Sequence, residues 1–146
     1  MDLPHLSPSR GTVAPTVSRL ARISSGPGLP AGFPFSLASE HDGVLYISGM
    51  PALDAEGRFA PGTFEQEADR VWANITAIAA AGGYSSDDFL FIQILLADID
   101  DYGVINDWWR RQFPNPATAP SRLTFQAGAL PFGAKIEMQA VAARTP

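Results

Sequence analysis

Two side chains in the last third of this 146-residue sequence are of the types that small-anion chemistry needs. Arg122 offers a planar fork of parallel donors that stays charged and matches a carboxylate. Glu137 offers a carboxylate that can hold a water or move a proton. Both lie in alternating stretches: Arg122, Thr124 and Gln126 share one face against Leu123 and Phe125, and Glu137 and Gln139 share one against Ile136, Met138 and Ala140. A turn signal, Leu130-Pro131-Phe132-Gly133, separates the two stretches. Residues 119–143 therefore read as an antiparallel hairpin in which Arg122 and Glu137 look out from the same face. On the residues alone, a structural ion pair between them is the simpler reading, and a small-anion site is the sharper one.

Other chemistries narrow quickly. There is no Cys, which excludes disulfides, thiolate nucleophiles and Cys-based metal or Fe–S sites. His5 sits in a Pro-rich lead and His41 beside an Asp-Gly turn, far apart in sequence, and both read as solvated imidazoles. Asp98, Asp100 and Asp101 are explained by capping at a helix N-terminus, so no metal site is expected. The formal net charge is −5 and Lys and Arg form no cluster, which argues against a nucleic-acid or anionic-membrane partner. No apolar run approaches the ~18 residues of a membrane span, and no basic-then-apolar leader opens the sequence. A cytoplasmic protein acting on a small molecule is the expectation.

Elements must position the two side chains. A lead over 1–15 with Pro4, Pro8 and Pro15 reads as a surface arm, 17–23 as a weak first strand, and 24–32 as a Gly/Pro loop. Strands are expected over 35–40 and 44–48, joined by Asp42-Gly43. Thr63-Phe64-Glu65-Gln66 fits a capping box, and Ala68, Val71, Trp72, Ile75, Ile78 and Ala79 form the stripe of an amphipathic helix ended by Gly82-Gly83. A buried strand over 89–97 and a second helix over 102–113 follow, before the two strands of the opening stretch. The order β-β-β-α-β-α-β-β predicts an α+β domain with a mixed six-stranded sheet and two helices on one face. Strands 44–48 and 89–97 are apolar on both faces, yet two helices cover only one. The other face calls for self-association.

Three segments then line up with a known family. LYISGMPALDAEG (45–57) is similar to LYISGQ-P-x-D-x-x-TG. ANITAIAAAGGYSSDDF (73–89) with LLADIDDYGVINDWW (95–109) resembles N-x-x-x-I-x-x-x-AG…D and L-x-D-x-x-D-(F/Y)-x-x-x-N. PSRLTFQAGALPFGAKIEMQAVA (120–142) resembles P-x-R, a Gly/Pro turn and a K-I-E-(I/M)-x-A-x-A strand. Together these resemble the RidA/YjgF family of enamine/imine deaminases, over 33–143. The resemblance divides the chain into an N-terminal arm, first strand and loop (1–32) and a RidA-like region (33–146), one domain in all.

The resemblance implies a chorismate-mutase-like fold and a homotrimer with small-molecule sites between subunits. It also implies hydrolysis of imines such as 2-aminoacrylate to 2-keto acids and ammonia, without metal or organic cofactor. Residue by residue, the P-x-R arginine that binds substrate falls on Arg122, and the K-I-E glutamate that positions water falls on Glu137. Thr124, Phe35, Ser48, Gly49 and Met50 fall on substrate-binding positions. Five departures stand out: Phe35 replaces a tyrosine, Thr124 a cysteine, Met50 a glutamine and Gln139 an acid, and the 24–32 loop is longer than usual. The changes at Phe35 and Met50 imply a less polar pocket and a substrate larger or more apolar than 2-aminoacrylate. The competing expectation is a non-catalytic protein that binds a small acid in the same cleft. RNA cleavage, attached to parts of the family, fits poorly with an acidic chain lacking a basic groove.

Overall fold

The computed structural model describes residues 20–144. The lead over 1–15 with His5, and positions 17–19 of the first expected strand, lie outside them. The described elements are β1 (Ala21–Ile23), β2 (Ala38–His41), β3 (Val44–Met50), α1 (Phe64–Ala81), β4 (Phe89–Leu96), α2 (Tyr102–Gln112), β5 (Ser121–Gln126) and β6 (Ile136–Ala143). That is the order the sequence predicts, with β2 beginning later than 35 because Phe33, Pro34 and Phe35 remain in the loop.

Local chemistry explains the boundaries. Asp42 and Gly43 have φ of 52° and 75°, the paired left-handed conformation of a two-residue hairpin turn. At the start of α1 the Thr63 hydroxyl accepts from the Gln66 N–H while the Gln66 side chain accepts from the Thr63 N–H, closing the capping box. Gly83, at φ 79°, stops the helix. Asp98 accepts from the Asp100 N–H, so this aspartate caps the turn before α2 as its type suggests.

The six strands form one mixed sheet in the order β1-β2-β3-β6-β4-β5, with β4 and β5 parallel and the other pairs antiparallel. This overturns the hairpin expected over 119–143. β5 and β6 follow each other in the chain, yet β4 lies between them. Pro131, Phe132 and Gly133 form a 3₁₀ turn that redirects the chain rather than folding it back on β5.

The new register also separates the two chemical side chains. Arg122 pairs with Ile92 and Thr124 with Ile94, so both share the face of those buried isoleucines. Glu137 pairs with Leu95, on the opposite face. Arg122 and Glu137 therefore look away from each other within one chain, and no ion pair forms between them.

Both helices cover the first face. α1 lies across β3 and β6, and α2 packs on α1, where the Trp108 indole N–H donates to Asp69 at 2.7 Å. Leu45, Ile47, Ile75, Ile78, Ile92, Ile94, Leu96, Ile105, Trp108 and Met138 form the core between the layers. The other face is open. Register places Tyr46, Phe91, Leu95, Leu123, Phe125 and Val141 on it, and Tyr46, Leu123 and Phe125 are exposed.

Candidate functional site

Arg122 is aligned by α2. Its guanidinium donates to the Asn106 Oδ1 at 2.6 Å and stands 5.1 Å from the Trp109 ring and 5.7 Å from the Tyr102 ring. Asn106 and Trp109 are three apart on the helix, so one face presents both to the strand edge. The rings hold the guanidinium plane and the amide fixes its direction, without a carboxylate to neutralise it. Among the described residues Arg122 belongs to no ion pair. Two residues on, the Thr124 Oγ1 is sealed from solvent and has no hydrogen-bond partner. A guanidinium on an edge strand, in no ion pair among the described residues, suits an oxyanion, whereas the sealed Thr124 hydroxyl is out of a ligand's reach.

Glu137 occupies a separate hollow. It lines a cavity of about 240 Å³ with Phe33, Phe35, Gly49, Met50 and Phe132. Burial pushes its carboxyl above the ordinary value of 4.5, with no cation to offset it. Gly49 makes the space. A Cβ built there would run into the Glu137 Oε1 and sit 3.4 Å from its Cδ. The Ser48 hydroxyl donates to the Ser36 carbonyl oxygen at 2.7 Å, which ties the loop carrying Phe35 to β3.

The cavity floor is fixed from behind. Buried Glu67 accepts from the Lys135 N–H at 2.8 Å, the Gly62 N–H at 3.4 Å and the Lys135 ammonium at 3.3 Å. The Lys135 ammonium also donates to the Gly62 carbonyl oxygen at 2.6 Å. This knot anchors the start of β6, two residues before Glu137. Two larger grooves, one along α1 from Ala60 to Ala73 and one between Ser86 and Thr118, contain neither Arg122 nor Glu137.

Of the residues singled out from sequence, the fold brings Phe35, Gly49, Met50 and Glu137 into one cavity, with Ser48 supporting it. It places Arg122 and Thr124 elsewhere, at the edge under α2. Sequence reasoning missed Asn106, Trp109 and Phe132. Asn106 ends the D-(F/Y)-x-x-x-N pattern already noted, so its role was within reach. Phe132 was named within the turn signal Leu130-Pro131-Phe132-Gly133, but as a turn residue and not as part of a site.

The family model described as Endoribonuclease L-PSP matches residues 28–144. A goat (Capra hircus) protein named 2-iminobutanoate/2-iminopropanoate deaminase is 35% identical over 131 residues, covering 88% of this chain and 94% of its own. RidA from an Antarctic Psychrobacter is similar in structure, with TM-score 0.76, 28% identity and coverage of 85% of this chain and 100% of that one. Yeast Mmf1 shares the fold, with TM-score 0.79 at 23% identity over 87% of this chain and all of that one.

Proposed function

Since the chain belongs to the RidA/YjgF family, we propose that it hydrolyses a small 2-imino or 2-enamino carboxylate to a 2-keto acid and ammonia. The observation that carries this reading is the division of the site. Arg122 and Glu137 stand on opposite faces of one sheet, so one substrate reaches both only when a second copy supplies one of them. We place each active site between protomers of a homotrimer, where Arg122 of one copy faces the Glu137 cavity of another. The open apolar face would meet its equivalents in that assembly.

The chemistry follows from the side chains. Arg122, aligned by Asn106 and Trp109, grips the substrate carboxylate through two parallel hydrogen bonds. The imine carbon then lies over the Glu137 cavity. Glu137 takes a proton from water as the oxygen adds to that carbon and passes it to the imine nitrogen, giving a neutral carbinolamine. It then takes the carbinolamine's hydroxyl proton and delivers it to nitrogen as the C–N bond breaks, the carbonyl forms and ammonia leaves. A carboxyl raised by burial is a stronger base than a solvated one and suits this shuttle.

A second reading, binding of a small acid without turnover, is favoured by Phe35, whose ring brings no hydroxyl to the cavity. One experiment separates the two. Imines are generated in situ by an amino-acid oxidase, and keto-acid release is followed with the wild-type protein and with Arg122→Ala. Acceleration that disappears in the variant supports the deaminase. Acceleration that persists unchanged in the variant sinks the role of Arg122, and tight keto-acid binding with no acceleration supports the binding protein.

A further inference from the structure

The Glu137 cavity is walled by rings. Phe33 and Phe35 stack at 5.3 Å with planes 22° apart, and Phe132 stacks on Phe59 at 5.9 Å and 18°. Met50 and Leu53 complete an apolar wall with a single carboxylate at its edge. Phe33 and Phe59 lean on the core, but Phe35 and Phe132 do not pack in it, being 48% and 64% exposed.

Phe132 also sits at φ 61°, a left-handed conformation that bulky residues seldom adopt. Gly133 next to it is left-handed too, at φ 69°. Strain of this kind persists only where the surroundings enforce it, and here they do. The Ala134 N–H donates to the Pro131 carbonyl oxygen at 3.0 Å, and Lys135 is bound to the buried Glu67. The turn thus holds an exposed aromatic ring over the mouth of the cavity, at a cost in backbone strain and exposed apolar surface.

Size agrees with the wall. A dry cavity of about 150 Å³ accommodates benzene, and this one measures about 240 Å³. A methyl or ethyl group would leave most of this partly open hollow to water, so little of its apolar lining would be withdrawn from solvent.

We propose that this cavity is the side-chain subsite of the substrate, that it takes an imino acid bearing an aromatic side chain of phenyl size, and that Phe132 and Phe35 set this specificity. The inference rests on the deaminase reading for the reaction but not for the binding. Glu137 at the cavity edge would face the imine carbon, and the phenyl ring would enter between Phe35 and Phe132.

The test uses two product-like probes, phenylpyruvate and 2-oxobutanoate, in calorimetric titrations of the full chain, Phe132→Gly and Phe35→Ala. Glycine at 132 accepts the left-handed backbone, so the turn survives the loss of the ring. The expected result is phenylpyruvate binding at least about tenfold more tightly than 2-oxobutanoate. The preference should fall several-fold in each variant, with 2-oxobutanoate affinity little changed. Equal or weaker binding of phenylpyruvate overturns the proposal, as does a preference that survives in both variants. Imine turnover separates this inference from the reading beneath it. Hydrolysis of small imines with rejection of phenyl ones defeats the subsite and leaves the deaminase standing. A retained phenyl preference with no hydrolysis of any imine defeats the deaminase and leaves the subsite standing.

Discussion

Arg122 is held as a plane, by two rings and one amide, and not merely as a charge. Lysine at this position keeps the charge but loses the fork and the stacking. Arg122→Lys should therefore lower kcat/KM for imine hydrolysis by about 10- to 100-fold, a loss of about 1.4–2.7 kcal/mol in transition-state binding, with unchanged circular dichroism. Glu137 makes a prediction of opposite sign for stability. Burial raises its folded pKa above 4.5, so the charged form is disfavoured in the folded chain. The stability linked to this group is fully present below the unfolded value and is lost as pH rises through the folded one. Glu137→Gln cannot ionise. It should melt slightly higher than the wild type at neutral pH and equally below about pH 4, while hydrolysing imines far more slowly. Equal melting at both pH values would show that the carboxylate is compensated after all. Residue types here were readable from sequence, because few side chains can grip a carboxylate or carry a proton. Their faces were not. Alternation tells which residues share a face within a strand, but whether Arg122 shares one with Glu137 depends on the registers in which β5 and β6 each pair with β4.

At the level of elements, the signals that held were those whose chemistry is local. Thr63 with Gln66, Asp42 with Gly43, and Gly83 each satisfy or bend their own backbone, and the structure shows each one doing so. The signal that misled was also local. A Pro-Gly turn between two alternating stretches looks like a hairpin, but nothing in it says which strand lies beside β6. That choice was made by β4, whose Ile92, Ile94 and Leu96 pack with Met138 and Ala140 beneath the helices. β3 carries the prediction at this scale. Its bulge between Ile47 and Met50 puts Gly49 against the Glu137 carboxylate. The obstructed atoms belong to the end of a flexible side chain, so Gly49→Ala should fold with a stability change under about 1 kcal/mol. It should nevertheless displace the carboxylate and cut turnover by about tenfold or more. A Gly49→Ala protein with full activity would remove Glu137 from the reaction.

Across the whole molecule, the sheet is finished on one side only. Two helices seal the face of Ile92 and Met138, while Leu123 and Phe125 remain exposed on the other. The expectation of an uncovered face came from counting helices against strands that are apolar on both sides, and it needed no knowledge of the register. What covers that face is a matter for solution measurement. Leu123→Glu should give a folded monomer by analytical ultracentrifugation and lose imine hydrolysis together with assembly, although residue 123 faces away from the Arg122 guanidinium. Activity retained in a monomer would refute a site shared between copies. The position of β6 has a further consequence, for synthesis. The third and fourth strands, made earlier, both pair with β6, the last strand of the described chain. A ribosome releasing this chain would present β1 to β5 as two unjoined half-sheets, with the β3 and β4 edges that β6 will occupy bare. Folding of the sheet must therefore wait for the final segment, and a chain stalled before Ile136 should behave as a client of chaperones rather than as a smaller domain.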